Sequence, residues 1–412
     1  MSEQTQAPQQ VPKPPRSGPL SKLRVIDLGT MVAGPVAATL MGDFGADVIK
    51  VEQPGTGDTL RGLGPFYEGE CLWWQLEGRN KRSVTLDLRQ AEGQALLKRL
   101  VAEADVVIEN FRPGTLEKWN LGYEQLAQVN PAIVMLSVSG FGQTGPYAQR
   151  AGYDRIGLAF SGVMGITGFA DRPPVRVGTS VADYATATMG AFAVMMALYH
   201  RDVNGGQGQQ IDLALYEPMF RFTDSMVLAY DKLGRVRERT GNVHQAAAPG
   251  NTFRMKDGRY IIMTISGDVL FRKLCQALGR EEMADDPRYA NHTARWQHIE
   301  ELNDIAARWI EENEAAAVTA ALSRHGVPYS VVLTVSDIFE DAHYAARQNL
   351  ETVEHPKLGP LRMQGVVPRM LGTPAEPIAP AHDLGQDNED VFQQLLGVER
   401  DEYQRLQAHG VI

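Results

Sequence analysis

The chain has 412 residues, 43% hydrophobic and 22% charged, an ordinary globular balance with length for two or three domains and a sizeable core. A net charge of -10 argues against a nucleic-acid partner, whose phosphates want a basic face, but leaves a polyanionic small ligand open. Cys71 and Cys275 stand far apart with no CxxC or Cys/His spacing, so no disulfide framework and no metal site is expected, and a reducing cytoplasm is the natural setting.

Residues 1–18 are rich in Gln and Pro and lack an apolar h-region, so they read as a disordered leader and not a signal peptide. Residues 23–28 read as a strand, 33–44 as an amphipathic helix with Pro35 in its first turn, and 47–52 as a second strand after Gly45. A strand at 83–88, a helix at 91–103 and strands at 106–108 and 133–138 repeat the pattern. Alternating strands and helices predict an α/β fold with a parallel sheet covered on both faces. A long apolar helix runs from 183 to about 200, then a strand over 210–214 and helical text to about 233. No apolar run approaches the roughly 20 residues of a membrane span, so no membrane partner is expected.

Residues 235–250 carry charge, Gly and Pro, and read as a linker. A smaller α+β domain follows over 251–336. It opens with a hairpin, 252–255 and 260–265, turning at Lys256-Asp257-Gly258-Arg259, and continues in helices near 268–278 and 299–324. From about 337 the style of the first part returns, ending in a helix at 388–396.

The first βαβ unit imitates a dinucleotide fold, with Glu52 closing its second strand. Its glycines are Gly29 and Gly34, followed by Pro35, and not G-x-G-x-x-G. The backbone lacks the second glycine that lets a pyrophosphate approach, so a nicotinamide or flavin enzyme is disfavoured.

Several stretches occur in a fixed order: Val32-Ala33-Gly34-Pro35, residues 42–52, Gly57-Asp58 with Arg61, Arg79-Asn80-Lys81-Arg82, Asn110-Phe111-Arg112-Pro113-Gly114, residues 139–146, and residues 205–212 followed by Glu217. Together, over residues 19–412, they resemble the CaiB/BaiF (family III) CoA-transferases. The resemblance implies a Rossmann-like large domain from 19–234 and 337–412, a small domain between, and an interlocked dimer of ring-shaped chains. It also implies a CoA thioester as substrate, no permanently bound cofactor, and a partner chain that is either a second copy or a related subunit.

The family's nucleophile matches Asp183, in Gly178-Thr179-Ser180-Val181-Ala182-Asp183-Tyr184. A carboxylate can attack a thioester and carry CoA as an aspartyl thioester. Taken alone, Asp183 serves as readily as an N-cap for the helix that follows. By the same matching, CoA would meet Met31, Val32 and Ala33, then Arg79, Asn80, Lys81 and Arg82, then Asn110, Phe111 and Lys118. Lys81, Arg82 and Lys118 would meet phosphates, and Phe111 or Trp119 the adenine; the run 79–82 is otherwise a solvated basic turn. Gln53 replaces a basic residue of the formyl-CoA branch, and residues 241–251 form an Ala-rich loop where that branch is Gly-rich, which argues against oxalate. Tyr153 stands where the family's racemases carry a His, and a group titrating near pH 10 is a poor base. The stretches 110–121 and 214–238 look most like transferases using succinyl-CoA and a dicarboxylate: malate, citramalate, itaconate or a substituted succinate. Arg176, Arg221, Arg237 and His244 are the candidates for its distal carboxylate. The competing readings are a catalytically silent CoA-binding subunit and an acyl-CoA racemase.

Overall fold

The computed structural model describes residues 17–244 and 246–412; all but the last two residues of the expected leader lie outside these. Contacts divide the chain into two units. One holds the chain up to Val163, Val177–Asp224 and Gln348–Ile412; the other holds Met164–Arg176 and Ser225–Arg347. The second unit thus spans 225–347, wider than the 251–336 read from the text, and includes a short excursion before the long helix. Helices Val335–Glu340 and Ala342–Ala346 bury no residue, so nothing in their text marks the unit they join.

The first unit is built on six parallel strands: β1 Arg24–Asp27, β2 Asp47–Glu52, β3 Lys81–Thr85, β4 Val106–Glu109, β5 Val134–Ser139 and β6 Gln210–Ala214. Their order is β3-β2-β1-β4-β5-β6. Strand alternation sorts the core. Val25, Val48, Val106, Ile108, Val134 and Leu136 belong to one buried cluster, with α1 (Ala33–Asp43) and α4 (Val181–Val203). Ile26, Ile49, Val107 and Met135 belong to the other, with α2 (Ala91–Ala102) and the C-terminal Val391, Phe392, Leu406 and Ile412. The order reverses between β1 and β4, and in such sheets ligands bind outside the carboxyl ends of the strands at that reversal. A further helix, α3 (Asp154–Phe160), precedes α4.

α4 corrects one expectation: its 23 residues are long and apolar enough to cross a membrane by length and composition. One face is committed to the sheet, through Ala187, Gly190, Val194, Ala197 and Leu198. A methyl at Gly190 would lie 2.8 Å from a Leu136 Cδ2, so the helix rests almost directly on β5. The opposite face exposes Phe192, Met196, Tyr199 and Val203.

Two further readings are adjusted. β3 begins at Lys81, two residues before the expected start, because Lys81 and Arg82 are sheet residues with buried or half-buried charges. The expected 388–396 helix is a π-helical turn over Asp390–Leu395, followed by a helix, Arg400–Ala408, not anticipated. In the second unit, Gly250–Arg254, Tyr260–Thr264 and Tyr329–Val331 form an antiparallel sheet. Helices Asp268–Leu278, Ile299–Glu312 and Ala315–His325 share one core with it.

Candidate active site

A cavity of about 290 Å³ opens at the reversal point. Its walls come from the β1–α1 turn (Thr30 to Ala33), the β4 turn (Asn110 to Pro113), the end of β5 with Gly140, the segment 150–153, and Asp183 at the start of α4. A smaller cavity of about 100 Å³ adjoins it, shares Thr30 and Phe111, and is lined by Leu86, Leu88, Arg89 and Trp119 among others.

The β1–α1 turn is held unusually firmly. Thr30 N–H donates to the Asn110 side-chain oxygen at 2.7 Å, and Asn110 Nδ2 donates back to the Thr30 carbonyl at 2.8 Å. Met31 takes a left-handed φ of 64°, rare for a side-chain-bearing residue. Its N–H donates to Asp58 Oδ1 at 2.9 Å. α1 then starts at Ala33 with no side chain capping it, which leaves a dipole end favourable to anions beside the cavity.

Asp183 occupies the first turn of α4, but it is not the cap. Asp154 Oδ1, reaching across from α3, accepts from the Ala182 N–H at 2.8 Å and from the Asp183 N–H at 3.4 Å. The Asp183 side chain is half-buried in the cavity wall. Burial first, and the Asp154 charge second, push its carboxyl up from 3.8 to about 7. A carboxylate of raised basicity, kept from capping its own helix, is suited to nucleophilic attack.

Tyr153 reaches the same cavity because two glycines meet backbone to backbone. A methyl on Gly152 would lie 2.5 Å from the Gly140 Cα, so only glycine lets segment 150–153 close on the end of β5.

Of the expected CoA residues, Met31, Val32, Ala33, Asn110 and Phe111 line the large cavity, and Phe111 packs edge-on against Trp119 at 5.6 Å. The basic run does not join them. Arg79 forms a two-pronged pair with Asp43 (3.0 and 2.6 Å), and Asn80 bonds Asp43 and the Ala379 backbone. Lys81 is buried against Asp27 at 2.9 Å, and Arg82 pairs with Asp47 and Asp390. These charges tie the start of β3 and the two residues before it to Asp43 of α1, Asp27 of β1, Asp47 of β2 and Asp390, and are neither a solvated turn nor a free phosphate clamp. Lys118 is exposed and lines neither cavity. The dinucleotide imitation fails here too: Glu52 is buried, bonded by Arg61 and the Ser83 hydroxyl.

None of Arg176, Arg221, Arg237 and His244 lines the large cavity; Arg221 is exposed in the first unit, and the other three lie in the second. Two cations that do line it were missed, Arg112 and Arg150. Arg112 stood inside the quoted Asn-Phe-Arg-Pro-Gly motif without a role. Arg150, whose guanidinium stacks 3.7 Å over Tyr147, gave no signal beyond its place three residues before Tyr153.

The description "CoA-transferase family III" fits residues 20–388 as a family match. The chain is 45% identical to succinyl-CoA–D-citramalate CoA-transferase of Chloroflexus aurantiacus over 97% of this chain and 99% of that one. It is 42% identical to the β subunit of succinyl-CoA–L-malate CoA-transferase from the same organism, over 96% and 98%. The crystal structure of a CaiB/BaiF family protein from Brucella suis superposes with a TM-score of 0.82 at 35% identity, covering 92% of this chain and 100% of that one. The six-stranded parallel sheet, the cavity at its reversal point and these matches agree, and the chain belongs to family III of the CoA-transferases.

Proposed function

We propose that this CoA-transferase moves CoA from succinyl-CoA to a dicarboxylic acid of the malate, citramalate, itaconate or substituted-succinate type, with Asp183 as the carrier. The observation that carries the reading is the position of Asp183: in the wall of the reversal-point cavity, relieved of capping by Asp154, and with its carboxyl raised to about 7.

The Asp183 carboxylate attacks the succinyl thioester carbonyl, giving a mixed succinyl–aspartyl anhydride and CoA thiolate. The thiolate attacks the aspartyl carbonyl, releasing succinate and leaving an aspartyl-CoA thioester. The acceptor carboxylate attacks that thioester, again giving an anhydride and thiolate. The thiolate then attacks the acceptor's carbonyl, releasing the new CoA ester and restoring the Asp183 carboxylate. No water is consumed, so thioester energy is conserved. Met31, Val32, Ala33, Asn110 and Phe111 bound the thioester's path. Arg112 and Arg150 supply the charge for the distal carboxylate.

The succinyl-CoA-dependent names of the two Chloroflexus relatives support the donor and the acceptor class. One of them is a β subunit, which supports an assembly of two chains, alike or related. The exposed apolar face of α4 supports an interlocked dimer, since a monomer rarely leaves Phe192, Met196, Tyr199 and Val203 open along one helix. Tyr153 in place of a histidine base disfavours racemisation.

The test is an exchange assay: purified enzyme, succinyl-CoA and each of the four acceptors, read by mass spectrometry. CoA esters of one or more dicarboxylates are expected, and Arg112→Ala and Arg150→Ala should each raise the acceptor KM about tenfold or more. Exchange with monocarboxylates alone would overturn the substrate class.

A further inference from the structure

Gly29 lines the smaller cavity and Thr30 and Met31 wall the one that holds Asp183, and five consecutive backbone polar groups across this turn are each tied to a side chain. Gly29 N–H donates to Asp27 Oδ1 at 3.0 Å, and the Gly29 carbonyl accepts from Lys50 Nζ. The Thr30 N–H and carbonyl are both taken by Asn110, and the Met31 N–H by Asp58 Oδ1. Four side chains, two from strands β1 and β2 and two from loops, therefore define the path of three residues.

Two of the four are buried charges that bond each other. Lys50 sits on β2 with its Nζ 3.0 Å from Asp58 Oδ2, and both side chains are at most 1% exposed. Asp58 is in turn oriented by its own backbone, whose N–H donates to Glu52 Oε2 at 2.9 Å, and Glu52 is clamped by Arg61. Burying an ammonium and a carboxylate is costly unless both are paired and hydrogen-bonded, so such a pair is a poor way to gain stability alone. Here the pair reaches Gly29 with one arm and Met31 with the other. The residue it secures, Met31, stands at φ 64°, a conformation that persists only where surrounding contacts over-determine it.

We infer that Lys50 and Asp58 are positioning residues of the transfer site, acting through the Gly29–Met31 backbone to set the cavity wall that the thioester meets on its way to Asp183. Their charged atoms meet that backbone and each other, and beyond these Asp58 Oδ1 accepts from the Leu60 N–H at 2.9 Å and Lys50 Nζ lies 3.7 Å from Asp27 Oδ1. The inference rests on Asp183 receiving the thioester, and the assay separates the two.

Acylation of the wild type by succinyl-CoA is followed in a single turnover, as formation of the enzyme-bound thioester, beside kcat, KM and the thermal midpoint. If the wild type forms no thioester at Asp183, the reading of the site fails. Given wild-type labelling, Asp58→Ala and Asp58→Asn are measured, each with and without Met31→Gly. Glycine adopts a positive φ at no steric cost, so it removes the need for the clamp. Whichever Asp58 variant folds is expected to acylate at least tenfold more slowly, and Met31→Gly in that background to restore at least threefold. A merely structural role would lower the thermal midpoint but leave acylation per folded molecule within twofold of wild type. That result, or a slow variant that Met31→Gly does not restore, overturns the inference.

Discussion

Replacing Asp183 with asparagine should stabilise the protein at neutral and alkaline pH, even though it should remove its activity. The Asp183 carboxyl rises from 3.8 to about 7, chiefly through burial and secondarily through the Asp154 charge. A carboxyl whose folded value lies above its unfolded value holds its proton more tightly in the fold. Its contribution is therefore present at low pH and is lost as the pH climbs through the window from about 4 to 7. At about 1.36 kcal/mol per pH unit the loss reaches about 4 kcal/mol, an upper figure because water still reaches the half-buried side chain. Asparagine keeps the shape and never ionises. Glu109, also buried and also raised to about 7, is common to both proteins and cancels in the comparison. Chemical denaturation of wild type and Asp183→Asn from pH 4 to 9 should show midpoints that coincide at the acid end, diverge through neutrality and run parallel above pH 8. A difference independent of pH, or an asparagine variant less stable at pH 8, would refute the reasoning. The same quantity bears on catalysis, since the aspartyl thioester carries no charge and acylation removes the buried anion.

Three further consequences concern Asp183, its neighbour Asp154 and the basic run at 79–82. The rate of acylation should fall about tenfold per pH unit below an apparent value near 7, because only the carboxylate is nucleophilic. Asp154→Asn keeps an acceptor for the Ala182 N–H but removes the neighbouring charge, so a pH–rate profile should show that limb moved to lower pH; an unmoved limb would mean the charge is not felt. Arg79→Ala should cost about 3–5 kcal/mol by leaving Asp43 buried without its charged partner, with only the Asn80 amide still bonded to it, while KM for succinyl-CoA stays within about twofold. A large rise in that KM without loss of stability would return Arg79 to the CoA site.

Much of the fold was legible because its signals are local. Residues 210–214 and 268–278 read as elements from hydrophobic periodicity, and the structure has them with those bounds. The failures are where a long-range contact overrides local text. Lys81 and Arg82 look like surface charge, yet Asp27, Asp47 and Asp390 draw them into the sheet from 54, 35 and 308 residues away. The expected helix at 299–324 breaks at Asn313 and Glu314, without the Gly or Pro that would have announced it. The site divides the same way. Asp183 was found through the family motifs around it, but no motif says that Asp154 frees it from capping. That follows from a hydrogen bond spanning two helices. Arg112 and Arg150 escaped because cavity walls are assembled from separate loops, and single arginines carry no periodic signal.

The central claim is that Asp183 carries CoA as a thioester, and it is tested most directly by trapping that thioester. Enzyme incubated with succinyl-CoA and no acceptor is reduced with borohydride, which converts an aspartyl thioester to homoserine, and its peptides are mapped by mass spectrometry. Homoserine at position 183, formed with succinyl-CoA and not with free CoA, is the expected result. An unmodified Asp183 in enzyme that still exchanges CoA, or a label on another residue, would contradict it.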